Sequence, residues 1–340
     1  MLADRSILVT GGTGSFGKHF VFYILERYPE VKNVIVFSRD EQKQYEMKNA
    51  LQHPSKVRFV IGDVRDYRRV YEVLEGVDYV IHAAAMKHIH IAEENPVECI
   101  KTNILGSENV ASAARERKIK KVIVISTDKA VAPAGVYGAS KLCADKIFLS
   151  MQSETTKFTI VRYANVLGSV GSVVPYFLKI AQQGYLPITH PDMTRFSITN
   201  LQASQLVEYA LQNALGGEIL VPKLPSYRIL DLAEAICPHC EKKVVGMRPG
   251  EKIHEEMITE VDSPNTIESE QYFIIVPNSP FTTHKETMRK YLSHYKAQKV
   301  AEGFTYSSKQ NINWLNVEQI REQIRLYVDS SFNLQIPERN

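Results

Sequence analysis

Thr10-Gly11-Gly12-Thr13-Gly14-Ser15-Phe16-Gly17 is the stretch that decides the fold. It follows the β-branched run Ser6–Val9 and leads into a helix predicted over Lys18–Tyr28, so a G-x-x-G-x-x-G turn joins a strand to a helix. Glycines here permit the tight turn, let backbone N–H groups approach a pyrophosphate, and let the helix pack close to the strand. The phosphate then sits on the helix N-terminus. Gly11, Thr13, Gly14, Ser15, Phe16 and Gly17 are therefore candidate dinucleotide-binding residues.

The strand-then-helix pattern continues downstream. Short strands predicted at Val34–Phe37, Val57–Ile61, Tyr79–Ala83, Val122–Ser126 and Thr159–Arg162 alternate with helices predicted at Arg68–Leu74, Ile104–Arg117 and Lys141–Met151. Such alternation is the sequence form of an α/β fold with a doubly wound parallel sheet of Rossmann type, covered by helices on both faces. Residues 1–167 are expected to form the dinucleotide-binding domain, 168–275 a smaller substrate-binding lobe, and 276–340 a C-terminal extension. Within the lobe, helices are predicted over Leu201–Leu215 and Ile229–Ile236. A strand at Glu218–Val221, ended by Pro222, is expected to return to the main sheet. From about Asp262 onward the chain reads as polar with interspersed aromatics.

Where NAD enzymes place an acid at the end of the second strand, this chain has Phe37-Ser38-Arg39, followed by Lys43. A hydroxyl and two cations suit a 2′-phosphate, so NADP is the expected cofactor. The plainer alternative is that Arg39 and Lys43 solvate a helix start beside Asp40 and Glu41. Gly62-Asp63-Val64 closes the third strand where an adenine can rest, and Ala83-Ala84-Ala85 closes the fourth with side chains small enough for a cofactor to cross.

Tyr137 and Lys141, in Tyr137-Gly138-Ala139-Ser140-Lys141, stand one helical turn apart on one face. A lysine ammonium stabilises a phenolate and lets the tyrosine serve as a base near neutral pH. Such pairs arise by chance on surface helices; coupled to the glycine turn, this one points to nicotinamide chemistry. The fifth strand ends at Thr127-Asp128-Lys129, which puts an acid and an amine at a strand's carboxyl end. A solvated loop pair is the plain alternative.

Together these motifs resemble the extended short-chain dehydrogenase/reductase family. Many sugar-nucleotide 4,6-dehydratases of that family carry Thr-Asp-Glu after the fifth strand, and Thr-Asp-Lys resembles the branch of UDP-N-acetylglucosamine 4,6-dehydratases that invert C5. The similarity runs over nearly the whole chain, through Ala84–His88, Lys101–Asn103, Arg162–Val166, Gly171–Pro175, Met193–Phe196, Arg248–Lys252 and Phe304–Ser308. It implies a UDP-sugar substrate, a homo-oligomer, often a hexamer, and a role in bacterial surface glycans or pseudaminic acid synthesis. It also implies that Tyr137, with Thr127 and Lys141 beside it, takes the C4 hydroxyl proton while hydride leaves C4 for NADP. Lys129 then removes the acidified C5 proton, Asp128 protonates the departing C6 hydroxyl, and hydride returns to C6. Lys129 can do this only with a depressed pKa; burial lowers it, an ionised Asp128 raises it, and the balance stays open at this level.

Arg195 and Arg248 are implied for the diphosphate, Glu251 for the ribose, and Lys87, Asn165 and Val173 for the substrate. Two positions depart from the family pattern: Val170 stands where relatives usually have Arg, and Ala164 where they usually have Gly. A nucleotide-sugar 4-epimerase is the rival enzyme, sharing the tyrosine and lysine but needing no elimination acid and base. A rival of another class is an NADP-binding regulator without catalysis.

Composition narrows the field further. At 340 residues, 44% hydrophobic and 23% charged, the chain can bury a full core. A net charge of +3, with Lys and Arg scattered among acids, gives no case for a nucleic-acid partner. Ile7–Val9 is too short for a signal-peptide core, and no segment offers the roughly 18 apolar residues of a membrane helix. A cytoplasmic protein without a membrane partner is expected, with its four cysteines reduced. Cys237-Pro238-His239-Cys240 lacks the second ligand pair of a zinc site and reads as a helix end with a turn. His88 and His90, near Glu93 and Glu94, read as loop and cap residues, and no metal is expected.

Overall fold

In a computed structural model, which describes residues 2–51, 54–278 and 283–332, the six β-branched runs form strands. They are β1 (Ser6–Thr10), β2 (Asn33–Ser38), β3 (Val57–Ile61), β4 (Tyr79–His82), β5 (Lys121–Thr127) and β6 (Lys157–Tyr163). Strands covered by helices on both faces need apolar side chains on both, which is why these runs are continuous rather than alternating. All five residues of β1 are buried.

The main sheet has ten strands, in the order β3-β2-β1-β4-β5-β6, then Ile219–Pro222, Tyr272–Ile275, Thr266–Glu268 and Gln298–Lys299. The first six and Ile219–Pro222 pair in parallel; the last three add antiparallel. Strand order reverses between β1 and β4, so a crevice opens beyond their carboxyl ends, where α/β proteins bind ligands. Helix Ser15–Arg27 buries Phe20, Val21 and Ile24, each stabilising by about 1.5–3 kcal/mol relative to exposure.

A second, smaller core includes Leu167, Phe177, Leu186, Ile188, Leu232 and Ile324. It lies among helices Val173–Ile180, Ile229–Ile236 and Val317–Tyr327 and the parallel pair Tyr185–Ile188 with Glu241–Val244. Residues 168–275 contribute to both cores, since Phe196, Leu206, Ile258 and Phe273 pack with the main sheet.

Several elements differ from expectation. The polar-looking tail supplies the last three strands on one side of the sheet, because Tyr272-Phe273-Ile274-Ile275 pairs with Ile219–Pro222 rather than standing as isolated aromatics. The helix predicted from Lys141 starts at Val136, and the one predicted from Ile104 follows a π-helical turn at Lys101–Leu105. The expectation of four reduced thiols is corrected: Cys237 and Cys240 form a disulfide, while Cys99 and Cys143 are free. Cys240 N–H bonds to the Cys237 carbonyl, a turn that brings the two Cα atoms to 5.3 Å, within disulfide reach. Among the described residues no helix is long and apolar enough to cross a membrane.

Candidate active site

Gly11 has φ +64°, and a Cβ there would stand 2.8 Å from the Ala84 backbone, so glycine lets the turn lie against the end of β4. A Cβ on Gly17 would stand 2.6 Å from Gly11 O and Gly12 Cα, so glycine seats the helix on the turn. Thr13 lies within that turn, and Gly14 precedes the helix without a side-chain cap, leaving the first N–H groups of Ser15–Arg27 available to an anion. Phe16 packs against Phe20 and Tyr163. Across the crevice, Thr10 Oγ1 accepts from the N–H groups of Ala83 and Ala84, each at 3.2 Å.

Val170 ties a loop to this turn. Its N–H donates to Ser15 Oγ at 3.3 Å and its carbonyl accepts from Lys87 Nζ at 3.1 Å, while the residue is 74% exposed. Val170 therefore lies beside the glycine turn. Gly171 packs on His88, whose ring centroid is 6.1 Å from that of His90; no metal-spaced group of His, Cys, Asp and Glu forms around them among the described residues. The group with such spacing is Cys237, His239 and Cys240, whose thiols are joined.

At the end of β2, Ser38 Oγ accepts from Gln44 Nε2 at 3.0 Å. Arg39 lies 3.6 Å from Asp63 and Lys43 lies 3.0 Å from Asp40, with both cationic side chains more than half exposed. Burial pushes the Asp63 carboxyl up, but Arg65 and Arg39 outweigh that and hold it below its ordinary value. Val64 is buried beside it, its carbonyl accepting from Asn109.

At the end of β5, Asp128–Ala130 makes a single tight turn, and the helix Val136–Ser150 closes onto it because Gly138 has no Cβ to collide with the Lys129 carbonyl. Lys129 Nζ donates to Asp128 Oδ1 at 2.9 Å and to Asn165 Oδ1 at 3.2 Å. It also lies 3.2 Å from Glu255 Oε1. Asp128 is wholly buried, accepts from Thr127 Oγ1 at 2.9 Å, and leaves Oδ2 without a hydrogen-bond partner. Tyr137 and Lys129 line one small pocket with Gly250 and Lys252.

Charges in this pocket are strongly coupled. Burial and the nearby Glu255 charge push the Asp128 carboxyl above its ordinary value, with Lys129 opposing. For Lys129, burial favours the neutral amine, but Asp128 and Glu255 outweigh it and raise its pKa, opposite to the depression that a free base needs. Burial pushes the Tyr137 phenol up to about 12, with Lys129 and Thr127 pulling it down. Lys141 donates to the Ile125 carbonyl at 2.8 Å, and burial lowers its pKa against the pull of Asp145. Of the two lysines, Lys129 lines the pocket with Tyr137, while Lys141 is turned to the Ile125 carbonyl.

Arg195 joins the same cluster. Its guanidinium donates to the carbonyls of Thr194, Ile253 and Lys252 at 2.7, 3.1 and 3.0 Å and lies 3.6 Å from Glu255. Arg248 is instead exposed and lines a separate cleft of about 540 Å³ with Tyr176, Tyr185 and Lys243. The Glu251 carboxylate accepts from the Arg248 N–H at 3.1 Å, and Val173 opens helix Val173–Ile180.

Residues 7–277 match the family described as "Polysaccharide biosynthesis protein". The chain belongs to that family. A UDP-N-acetylglucosamine 4,6-dehydratase (inverting) of Campylobacter jejuni is 46% identical over 330 residues, covering 95% of this chain and 98% of its own. A UDP-glucose 4-epimerase of Rickettsia canadensis is 40% identical over 333 residues, covering 95% and 96%. The X-ray structure of Pen from Bacillus thuringiensis superposes with a TM-score of 0.85 at 36% identity, covering 95% of this chain and 98% of that one. The fold is that of the extended short-chain dehydrogenase/reductases.

In this polysaccharide biosynthesis family member, the expected residues Thr127, Asp128, Lys129, Tyr137 and Asn165 converge on one pocket, with Arg195 behind them. Arg248 and Glu251 lie on the loop whose Gly250 and Lys252 line that pocket, though Arg248 itself opens onto the other cleft, and Lys87 lies beside the glycine turn. Glu255 escaped the sequence reading. Its signal was an acid four residues beyond Glu251, and only the tertiary fold brings it to Lys129.

Proposed function

We propose that this protein is an NADP-dependent UDP-N-acetylglucosamine 4,6-dehydratase, probed most directly as one that inverts C5 and releases a UDP-2-acetamido-2,6-dideoxy-4-hexulose. The observation that carries the reading is the Asp128–Lys129 contact of 2.9 Å at the carboxyl end of β5, in the pocket of Tyr137. Elimination of water needs an acid and a base beside the redox tyrosine; a 4-epimerisation does not. The Campylobacter relative's activity supports the same reading.

The residues present fit a dinucleotide. Gly11, Thr13, Gly14, Ser15, Phe16 and Gly17 would receive the pyrophosphate, Asp63, Val64, Ala83 and Ala84 the adenosine side, and Ser38, Arg39 and Lys43 a 2′-phosphate. When bound, the nicotinamide supplies a hydride acceptor for C4 that gives the hydride back at C6. Tyr137 takes the C4 hydroxyl proton, with Thr127 and Lys141 holding its surroundings. Lys129 takes the C5 proton, Asp128 protonates the departing C6 hydroxyl, and as C6 accepts hydride a proton drawn from solvent returns to C5. Arg248 takes the diphosphate, Glu251 the ribose, and Lys87, Asn165 and Val173 the sugar side, while Arg195 steadies the acid–base cluster. The enzyme works in the cytoplasm as a homo-oligomer, up to a hexamer, in bacterial surface-glycan or pseudaminic acid synthesis.

Incubation of the cofactor-loaded protein with UDP-N-acetylglucosamine, without added reductant, tests this by mass spectrometry. Loss of one water supports the dehydratase. An unchanged mass with altered C4 configuration favours the 4-epimerase reading, to which the Rickettsia relative lends weight. An untouched substrate favours a non-catalytic binding protein. Arg39→Ala is expected to weaken NADP about 10- to 100-fold by calorimetry, the worth of one charge-assisted hydrogen bond, while NAD affinity holds. Equal loss for both cofactors would remove Arg39 from the 2′-phosphate site.

A further inference from the structure

The Asp128–Lys129 pair has a third ionisable partner. Glu255 is 2% exposed, with Oε1 3.2 Å from Lys129 Nζ and 3.6 Å from Arg195 Nε. Its Oε2 lies 3.4 Å from Lys252 Nζ but makes no hydrogen bond. The backbone fixes its place: Glu255 N–H donates to Ser308 Oγ at 2.9 Å, and its carbonyl accepts from Ser308 N–H at 2.7 Å. A buried carboxylate held this firmly among three cations is costly unless its charge is used or matched.

We propose that Glu255 is a positioning residue that sets the proton distribution over Asp128 and Lys129; the proposal rests on the dehydratase reading above. Two carboxylates share one ammonium, and their surroundings separate them. Glu255 is ringed by Lys129, Arg195 and Lys252, so it carries the negative charge. Asp128 has Lys129 as its one ion-pair partner among the described residues and lies wholly buried, so it is the carboxyl that holds a proton. Glu255 thereby keeps Asp128 ready as the acid and stores Lys129 as an ammonium until the loaded site draws its proton away. The groups facing Lys129 are Asp128, Glu255, Asn165, Tyr137, Tyr227 and Arg195, and of these the Glu255 carboxylate holds its proton in place while Asp128 accepts a hydrogen bond from it.

Removing the Glu255 charge makes Lys129 lose its proton at lower pH and makes Asp128 ionise at lower pH. The active form carries one proton on the Asp128–Lys129 pair, so the rising limb of kcat against pH reports loss of the first proton from the pair and the falling limb loss of the last, and both move toward acid. Opposite or like charges this close shift such limbs by roughly 1 to 3 pH units. Glu255→Gln is therefore expected to translate the whole kcat profile of the cofactor-loaded enzyme downward in pH, with KM little changed. Glu255→Asp, which keeps the charge, should stay close to the parent.

Competitive trace acetylation of Lys129, read by peptide mass spectrometry across pH, gives the same information without substrate. In Glu255→Gln its midpoint should fall by a similar amount. In the unmutated protein, a measurement that requires no variant to fold, Lys129 should react at a higher pH than the exposed lysines of the same sample. A Lys129 midpoint at or below that of the exposed lysines overturns the proposal. So does a Glu255→Gln enzyme that loses activity with neither profile nor midpoint moved, or a Glu255→Asp shift as large as that of Gln. If the midpoint moves but no UDP-sugar is ever dehydrated, the Glu255 coupling stands and the dehydratase reading fails.

Discussion

Lys129→Ala is expected to bind NADP as the parent does and to lose dehydration by roughly 10²- to 10⁴-fold, the usual worth of a positioned acid or base. The side chain contacts no part of the glycine turn in the described residues, so cofactor affinity has no reason to change. Its loss leaves Asp128 and Glu255 facing each other in a buried site, where two carboxylates cannot both stay ionised. Asp128 then holds its proton more tightly and Glu255 keeps Arg195 and Lys252 as partners, so stability falls by the loss of hydrogen bonds to a charged group, about 1.5–3 kcal/mol, rather than by that of an unpaired buried charge. Lys129→Met separates packing from chemistry: it keeps the stem but not the amine, and should be just as inactive. Full activity in either variant, in a coupled assay of water loss, would remove Lys129 from the reaction.

Gly17→Ala is expected to abolish useful cofactor binding, raising the NADP Kd by roughly 100-fold or more, about 3 kcal/mol. The added methyl meets backbone, with Gly11 O and Gly12 Cα both at 2.6 Å, so no side chain can yield. The helix Ser15–Arg27 must lift off the turn, and its uncapped N-terminus moves from where a pyrophosphate would lie. Overpacking of this kind costs about 1–3 kcal/mol of stability, measurable by urea denaturation. An unchanged Kd, by fluorescence titration, would show that the turn is not the pyrophosphate site.

The sheet was legible because parallel strands buried on both faces announce themselves: β1, β2, β4, β5 and β6 differ from the expected bounds by one or two residues at either end, and the edge strand Val57–Ile61 matches them. Val136 was missed as a helix start because Gly135 and Gly138 flank it and glycine disfavours helix. Gly138 is there so that the helix can close on Lys129, a tertiary reason that local propensity does not carry. Tyr272–Ile275 was missed because a short apolar run shows no period by itself; its partner Ile219–Pro222 lies some fifty residues earlier in the chain.

In the site, Asp128, Lys129 and Tyr137 were legible from spacing within one strand-turn-helix unit. The sign of the Lys129 shift was not, since it turns on Glu255, which arrives through the strand pairing of Glu256–Ile258 with Tyr306–Ser307. The same holds for Arg195: its charge was visible, but the carbonyls of Thr194, Lys252 and Ile253 that occupy it were not. The disulfide follows the same logic in reverse, since compartment was inferred from composition while the Cys237–Cys240 turn geometry is local.

The central claim is that an acid and an amine act on a carbon next to a transient ketone. Turnover of UDP-N-acetylglucosamine in D₂O, read at C5 of the product by proton NMR, tests it most directly. The account predicts a dehydrated product carrying deuterium at C5, and none formed by Lys129→Ala. A dehydrated product that keeps its original C5 hydrogen, or a cofactor-loaded enzyme that never releases water, would contradict it.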